Sequence, residues 1–223
     1  MSAHDLPFAV DQHLLHFPDG FFARLGRGFL TEYYRAFLTG PDARTSIAEV
    51  HGRPTGYLVG VTDPAAHRRH VIQQHGRALA VKAVLAMLRR PWLAVRFLRT
   101  RSRLYTRKLL PRRTAQCEPT GSPGGPSRTA VLTHVAVVPE AQSGGIGSEL
   151  IQRFDDQVHA AGGEQLTLVT AAGADGAGPY YERRGWHVAG ERCTPDGLRL
   201  TTYTRPVKVR DGRPTARRSD ETA

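Results

Sequence analysis

The chain has 223 residues, of which 40% are hydrophobic, so it is long enough for one domain with a buried core and an additional segment. The N-terminus has no basic segment followed by an apolar run, and no stretch reaches the roughly 20 uninterrupted apolar residues of a spanning helix, so neither a signal peptide nor a membrane span is predicted. The net charge is +11, and the two cysteines, Cys117 and Cys193, suit a reducing compartment. A cytoplasmic location is predicted, with peripheral contact to a membrane left open.

The first 63 residues predict two helices followed by two strands. Apolar and aromatic residues recur at helical spacing on both sides of a turn at residues 18–20, and the stripe ending in Phe37 and Leu38 is typical of a helix packed on a core. Residues 45–50 and 55–61 are strand-like, and a short loop joins them as a hairpin.

Residues 64–128 separate this hairpin from the next strand, which is far beyond common loop lengths. Residues 64–113 hold 14 Lys and Arg and no Asp or Glu, whereas the rest of the chain holds 17 basic and 20 acidic residues. Apolar runs at 78–88 and 92–98 predict two short helices. Residues 119–127 are almost all Pro, Gly and Ser, which predicts a flexible loop.

Three interpretations of the basic insertion stay open. It could be a helical hairpin packed on the core with a solvated basic face. Residues 64–113 could instead contact an anionic membrane surface, or form a basic wall beside an anionic ligand. Stacking aromatic residues are scarce here, which disfavours nucleic acid as a partner.

Residues 130–161 read as a strand, a glycine-rich turn and a helix. The strand ends at Pro139, which cannot donate to a sheet ladder, and three glycines between residues 142 and 148 then open a helical pattern. Such a turn places unpaired N–H groups at the positive end of a helix, which suits a phosphate group, although a ligand-free connection has the same pattern. The lysine of a P-loop and the third glycine of a dinucleotide fingerprint are both missing from it.

The last part of the chain predicts a further strand over residues 164–170, a short helix with Pro179 near its start, and two strands over residues 186–192 and 198–207. Residues 208–223 are polar and without periodicity, which predicts a disordered tail.

Two motifs resemble those of the GNAT superfamily of N-acetyltransferases. The run Gln142-Ser143-Gly144-Gly145-Ile146-Gly147 resembles the family's acetyl-CoA signature, Arg/Gln-x-x-Gly-x-Gly/Ala. Further on, the family pattern Ala-x-x-x-Tyr-x-x-x-Gly-Phe is similar to the chain at Ala177, Tyr181, Gly185 and Trp186. The two motifs together are more specific than either one.

The resemblance implies an α/β fold: a mixed, splayed central sheet flanked by helices, with a basic helical insertion between the third and fourth strands. Residues 1–207 would form a single domain, within which residues 64–128 are the insertion and flexible loop.

The resemblance also implies acetyl-CoA as co-substrate, with its pantetheine arm in the gap of the splayed sheet and its diphosphate on the glycine turn. By its position in the family pattern, the N–H of Val137 would polarise the thioester carbonyl of the bound acetyl-CoA. The implied binding residues are Val137, Val138, Gln142, Ser143, Gly144, Gly145, Gly147 and Ser148. No metal site is predicted.

Tyr181 matches the family's general acid, and Tyr180 is the competing choice. The family's acceptor pocket makes Glu32, Tyr33 and Tyr34 candidates for contact with the acceptor.

The general base is harder to place from the sequence. Many family members carry a glutamate early in the signature strand, where this chain has Val131. His134 is the nearest titratable group and its ordinary pKa suits the task, but a structural histidine in the sheet is an equal interpretation. Strict strand alternation also places His134 on the face of Leu132 and Ala136, opposite Val131.

The predicted function is therefore an N-acetyltransferase that moves an acetyl group from acetyl-CoA to a primary amine by direct transfer. A small molecule or an amino sugar is favoured over a protein as acceptor. The alternative is a non-catalytic acyl-CoA-binding or membrane-surface module on the same fold, which the missing glutamate motivates. A homodimer is left open.

Overall fold

The computed structural model describes residues 1–18, 20–92, 94–95, 129–173, 176–194 and 197–208. A 3-10 turn at Ala3–Asp5 leads into helices α1 (Leu6–His16), α2 (Phe21–Arg24) and α3 (Arg27–Thr39). Strands β1 (Ala43–Val50) and β2 (Arg53–Val61) follow. Helix α4 (Pro64–His70), a π-helical turn (Val71–His75) and helix α5 (Gly76–Arg89) form the described part of the insertion.

The second half begins with strand β3 (Thr129–Val137) and a 3-10 turn at Pro139–Ala141. Helix α6 (Ile146–Ala160), strand β4 (Gln165–Ala171) and helix α7 (Gly178–Glu182) come next. Strands β5 (His187–Cys193) and β6 (Arg199–Pro206) close the domain. Each predicted strand is found within two residues of its predicted bounds, and α2 is an additional short helix.

The six strands form one open mixed sheet in the order β1-β2-β3-β4-β6-β5. Only β3 and β4 run parallel, and the other neighbouring pairs are antiparallel. The ladder between β3 and β4 joins Thr129–Leu132 to residues 165–168 and stops there, although both strands continue. The predicted mixed, splayed sheet with flanking helices is confirmed.

A β-bulge lies where the two parallel strands separate. Val59 of β2 pairs with His134 and Gly60 pairs with Leu132, so Thr133 is an extra residue in β3. A bulge bends its strand and reverses the alternation of side chains beyond it. Accordingly, Leu132 belongs to the core on one face of the sheet, whereas Ala136 belongs to the core on the other.

Each face of the sheet carries its own core. The core on the α6 side includes Leu58, Phe154 and Leu168, together with Trp186. The core on the α1/α3 side is built from aromatic and aliphatic residues of two helices and the first strands: Val10, Leu30, Tyr34, Phe37, Tyr57 and Val59. The predicted aromatic stripe of α3 is thus confirmed as core.

Helix α6 lies directly on β2. A Cβ at Gly60 would lie 2.4 Å from Cζ of Phe154, a distance that real Cβ atoms do not show. Glycine at this position therefore sets how closely the helix that follows the glycine turn can approach the sheet.

The position predicted for the insertion was wrong by one strand. Among residues 1–18 and 20–63 the structure has two strands, so the insertion lies between β2 and β3, not between the third and fourth strands. The physical reason is that residues 6–39 form helices throughout, apart from two short turns. The rest of the insertion (residue 93 and residues 96–128), which includes the predicted loop at 119–127 and Cys117, lies outside the described residues. So does the predicted tail beyond Lys208.

Glu32 ties the insertion to α3. Its buried carboxylate accepts hydrogen bonds from Nδ1 of His75 at 2.9 Å and from Nζ of Lys82 at 3.2 Å, and it pairs with Arg35 on its own helix. Burial alone would raise the pKa of Glu32, but the hydrogen bonds from His75 and Lys82 outweigh it and lower this pKa. His75 is the last residue of the π-helical turn that joins α4 to α5.

Within the described residues, no helix has the length and apolar character needed to cross a bilayer.

A buried ion pair joins α6 to β6. Nη2 of Arg205 donates to Oδ2 of Asp155 at 2.6 Å, and both side chains are at most 3% exposed. The Arg205 guanidinium also lies 4.6 Å above the ring of Trp186. Removing one partner would leave the other charge buried without compensation.

We therefore expect Arg205→Ala to lower the free energy of unfolding by about 3–5 kcal/mol. The matched control is Arg199→Ala, which removes an arginine from an exposed pair with Glu191 on the neighbouring strand and should cost about 0–1 kcal/mol. Urea unfolding followed by circular dichroism measures both values. Equal losses for the two variants would contradict the role given to the buried pair.

Candidate active site

The glycine-rich turn folds as a strand-to-helix connection with a strained backbone. Ser143 and Gly145 have positive φ values of 65° and 84°, and Gly145 is the N-cap of α6. The N–H groups of Ser148 and Glu149 turn back to the carbonyl of Gly145 at 2.9 and 3.0 Å. Among the described residues, the N–H groups of Gly145, Ile146 and Gly147 have no backbone acceptor. These donors sit at the positive end of a 15-residue helix, which is the arrangement that binds phosphate.

Tyr180 and Arg184 complete this turn, and the sequence analysis did not select Arg184. A Cβ at Gly147 would lie 3.2 Å from the hydroxyl oxygen of Tyr180, so glycine keeps the approach to the turn open. Nη2 of Arg184 donates to Oγ of Ser148 at 2.7 Å, and its guanidinium lies 3.7 Å above the Tyr180 ring. The spacing of four between Tyr180 and Arg184 is the sequence signal that they share one helical face.

The end of β3 presents a free backbone edge to the gap. The N–H of Val138 donates to the carbonyl of Thr55 at 2.8 Å, so it is used by the neighbouring strand β2. Successive N–H groups of a strand point to opposite edges, and the N–H of Val137 is therefore directed away from β2, towards the side on which β4 has separated. Nε2 of Gln142 donates to the carbonyl of Val137 at 3.2 Å, which ties the glycine turn to the end of β3.

His134 lies in a group of aromatic rings between β3 and the first helices. Its Nε2 and the Tyr33 hydroxyl are joined by a hydrogen bond of 3.2 Å, and the His13 ring is 4.8 Å away. His13 in turn is hydrogen-bonded to the hydroxyl of Tyr34 at 2.8 Å, and Tyr34 to that of Tyr57 at 2.7 Å. Side chains of α1, α3, β2 and β3, which are far apart in the sequence, are thus joined here by two short series of hydrogen bonds.

The face assigned to His134 by strict alternation was wrong. Because Thr133 is a bulge, His134 and Ala136 face the α1/α3 side, where Val131 also packs, and Leu132 faces α6. His134 therefore shares a face with the position at which many family members carry their glutamate.

Both histidines of this group are neutral. Burial, and to a smaller extent the nearby His13, lowers the pKa of His134 to about 3. Burial lowers the pKa of His13 to about 4. Each ring can accept a proton on one nitrogen, but at these pKa values it holds that proton weakly.

Tyr181 is buried in the α6-side core. It packs edge-on against Trp186 at 5.7 Å, and the same cluster includes Leu132 and Leu168, the pair at which β3 and β4 separate. Burial raises the pKa of Tyr181, so the hydroxyl stays protonated. Among the described residues this hydroxyl makes no hydrogen bond. Tyr180 is the more exposed neighbour, directed at the glycine turn.

The three residues predicted to contact the acceptor, Glu32, Tyr33 and Tyr34, have different partners in the structure. Tyr33 reaches His134, as described above, and its ring also packs on the partly exposed Phe22 at 4.8 Å. Tyr34 is fully buried in the polar chain to Tyr57. Glu32 is engaged in holding the insertion, so its carboxylate is not available to an acceptor.

A separate cavity of about 330 Å³ lies among the ends of β4, β5, β6 and α7. Its polar lining includes the carboxylates of Glu182 and Glu191, the first of which accepts a hydrogen bond from Tyr203 at 2.9 Å. Negative charge is unsuited to a diphosphate, and none of the predicted cofactor residues lines this cavity.

Comparison with known proteins agrees with this geometry. Residues 114–206 match the family model described as acetyltransferase (GNAT) domain. No curated protein sequence matches the chain significantly.

Several solved structures share the fold. The ribosomal-protein-S18-alanine N-acetyltransferase from Escherichia coli has a TM-score of 0.52 at 15% identity, over 94% of this chain and 92% of that one. Ard1 from Thermoplasma volcanium has a TM-score of 0.55 at 13% identity, over 94% and 95%. An aminoglycoside 6'-N-acetyltransferase complexed with coenzyme A has a TM-score of 0.51 at 10% identity, over 90% and 89%. At these identities the likeness concerns the fold.

The splayed mixed sheet, the glycine turn at the start of α6 and the match of residues 114–206 agree with one another: this part of the chain is similar to the acetyltransferase (GNAT) domain, and the chain shares its fold with solved N-acetyltransferases.

Proposed function

We propose that the protein is an N-acetyltransferase that uses acetyl-CoA to acetylate a primary amine by direct transfer. The observation that carries the proposal is the gap beside residues 133–137 of β3, which opens next to the unpaired N–H groups of the glycine turn. When bound there, acetyl-CoA would supply an activated acetyl group.

The residues present fit this co-substrate. The N–H groups around Gly145 and the guanidinium of Arg184 would bind the diphosphate, and Ser148 would orient that guanidinium. Gln142 would act indirectly, because its amide holds the carbonyl of Val137. The edge of β3 that β4 leaves unpaired beyond Leu132 would bind the amide groups of the pantetheine arm, whereas the N–H of Val138 is already used by Thr55.

Val137 is proposed to activate the carbonyl. Its N–H points into the gap on a strand that the bulge and the neighbouring β2 hold in place. A fixed backbone donor of this kind stabilises negative charge that develops on the carbonyl oxygen without reorganising.

Tyr181 is proposed to protonate the thiolate leaving group, since its neutral hydroxyl belongs to the cluster at the fork of the two strands. Tyr180 is the alternative, because its hydroxyl lies nearer the glycine turn.

His134 is proposed to accept the proton of the amine, through Tyr33 or through water. Its position on the Val131 face supports this role, and its lowered pKa opposes it, since a weak base takes a proton from an amine slowly. The lowered pKa of His134 and the presence of Val131 in place of the usual glutamate both favour a second candidate function. In that case the protein would be a non-catalytic acyl-CoA-binding module. Release of free thiol from acetyl-CoA with a panel of amines separates the two.

The acceptor is proposed to be a small molecule or an amino sugar with a primary amine. Two of the proteins of similar fold, by their names, act on an aminoglycoside and on the alanine of a ribosomal protein, so both small and protein amines belong in the panel. A homodimer stays a prediction.

The first test concerns the glycine turn. Gly147→Val fills the approach beside Tyr180 and should weaken the binding of acetyl-CoA, measured by calorimetry, at least about tenfold. Gly28→Val is the matched control: Gly28 is also the second residue of its helix, but no described atom apart from the chain neighbours and the nearby backbone of that helix lies within 4 Å of its Cβ position, so binding should not change. Absence of heat with the wild-type protein would overturn the proposed function.

The second test assigns the acid. Tyr181→Phe should lower kcat about 10²-fold while the affinity for acetyl-CoA is retained. Tyr180→Phe is the control and should keep kcat. The reverse result would transfer the role to Tyr180, and full activity of both variants would exclude a tyrosine as the acid.

The third test concerns the charge of His134. Its folded-state pKa lies below the ordinary value of 6.5, so the unfolded state binds more protons and stability falls as the pH falls from about 6.5 towards 3. His134→Gln should therefore reduce the loss of unfolding free energy between about pH 7 and pH 5 by about 2 kcal/mol, measured by urea unfolding. His159→Gln, at an exposed position of α6, should behave like the wild-type protein. An unchanged pH dependence in His134→Gln would show that folding does not lower the pKa of His134.

A further inference from the structure

Helix α5 carries an apolar face that no described residue covers. Val81, Val84, Leu85 and Leu88 recur at spacings of three and four, so they lie along one side of the helix, and Leu88 is 73% exposed. A different side of the same helix carries Lys82, which is bound to Glu32 and fixes the helix on α3. Surface helices normally place polar residues outward, but the outward side of α5 is mostly apolar.

The apolar surface extends past the end of α5. Trp92 and Val95 are 52% and 54% exposed. Nη1 of Arg90 donates to the carbonyl of Arg24 at 3.3 Å, which places this end beside α2. There Phe21 and Phe22 are also exposed. We call the exposed apolar residues of α5, Trp92 and Val95 the α5 face. An exposed apolar surface of this kind marks an interaction site.

Positive charge surrounds the α5 face. The described residues from Pro64 to Val95 include six Lys and Arg and no Asp or Glu. Arg77 lies on the same side of α5 as Leu88, and Arg89 and Arg90 lie at its C-terminal end, all three exposed. A lipid bilayer with anionic headgroups can bind both kinds of residue: its acyl chains contact the apolar side chains, and its phosphates pair with the arginines.

Three other partners fit the α5 face less well: a second copy of the chain, residues 96–113 and nucleic acid. A second copy of this chain in a two-fold interface would bring the arginines of both copies together. Residues 96–113, the adjoining segment of the chain, carry eight Lys and Arg and no acidic residue, so they would add like charge to the same surface. Nucleic acid would pair with the arginines but leave the aliphatic side chains without a partner.

We propose that the α5 face is a docking surface for an anionic lipid bilayer, with α5 lying in the plane of the headgroups. Val81, Val84, Leu85 and Leu88 enter the acyl boundary, and Arg77, Arg89 and Arg90 pair with phosphate. The anchor at Glu32 holds the helix on the domain while its opposite side contacts the bilayer.

The test uses the full chain and vesicles of phosphatidylcholine with and without phosphatidylglycerol. Sedimentation should show binding to the anionic vesicles and much weaker binding to the neutral ones. Trp92 gives a second readout, because the other tryptophan, Trp186, is only 2% exposed. Its fluorescence should shift to shorter wavelength on anionic vesicles.

Variants locate the surface. Leu85→Glu with Leu88→Glu should lower the partition coefficient at least about tenfold, and Arg77→Gln should lower it about fivefold at low salt. The matched control is Val50→Glu with Leu198→Glu, two exposed apolar residues on strand ends away from α5, which should leave binding unchanged.

Four results would overturn the proposal. The first is a lack of binding by the wild-type protein, and the second is equal binding by the Leu85/Leu88 variant. The third is a dimer in light scattering that this variant dissociates, which would assign the face to a second copy. The fourth is a fall of several degrees in its unfolding temperature, absent in the control, which would show that the chain's own residues cover the face. None of these readouts depends on acetyl transfer.

Discussion

The end of the pairing between β3 and β4 is the constraint on which the candidate site depends. The two parallel strands share a ladder only up to Leu132 and Leu168, and the extra residue Thr133 comes directly after that point. A bulge bends the strand and turns its side chains over, so one local irregularity opens the gap and also moves His134 to the α1/α3 face. The unpaired edge at Val137 and the aromatic group around His134 are two consequences of the same register shift.

The remaining elements hold this gap in place from both sides. On one face, α6 lies against Gly60 and is tied to β6 by the Asp155–Arg205 pair, which hold the helix with the glycine turn at its start against the sheet. On the other face, the hydrogen bonds from Tyr34 to Tyr57 and His13 connect the first helices to the sheet. The side chains of His13, Tyr34 and Tyr57 in these hydrogen bonds are neutral, which limits the cost of burying them as long as each has a partner.

The described part of the insertion is tied to α3 by a buried carboxylate and its partners, and it exposes apolar surface on α5. Glu32 gathers His75, Lys82 and Arg35 at a buried point on α3, while the aliphatic side chains of α5 face outward. A buried carboxylate with several partners fixes an orientation more than it adds stability. The anchor therefore explains why α5 keeps its apolar side exposed, and the proposed bilayer contact explains what that side is for.

The local elements could be predicted from the amino-acid sequence alone: the strand ends, the glycine turn before α6, the aromatic stripe of α3 and the two GNAT-like motifs. Hydrophobic periodicity, the stop at Pro139 and the glycines act over a few residues, so they can be read without knowing the fold. Four features could be seen only in the folded chain: Thr133 is a bulge, Glu32 binds the insertion, Arg184 reaches Ser148, and α5 has an apolar outward side. Each of these depends on the register or packing between segments far apart in the chain, and the strand alternation or helical spacing of one segment carries no information about its partner.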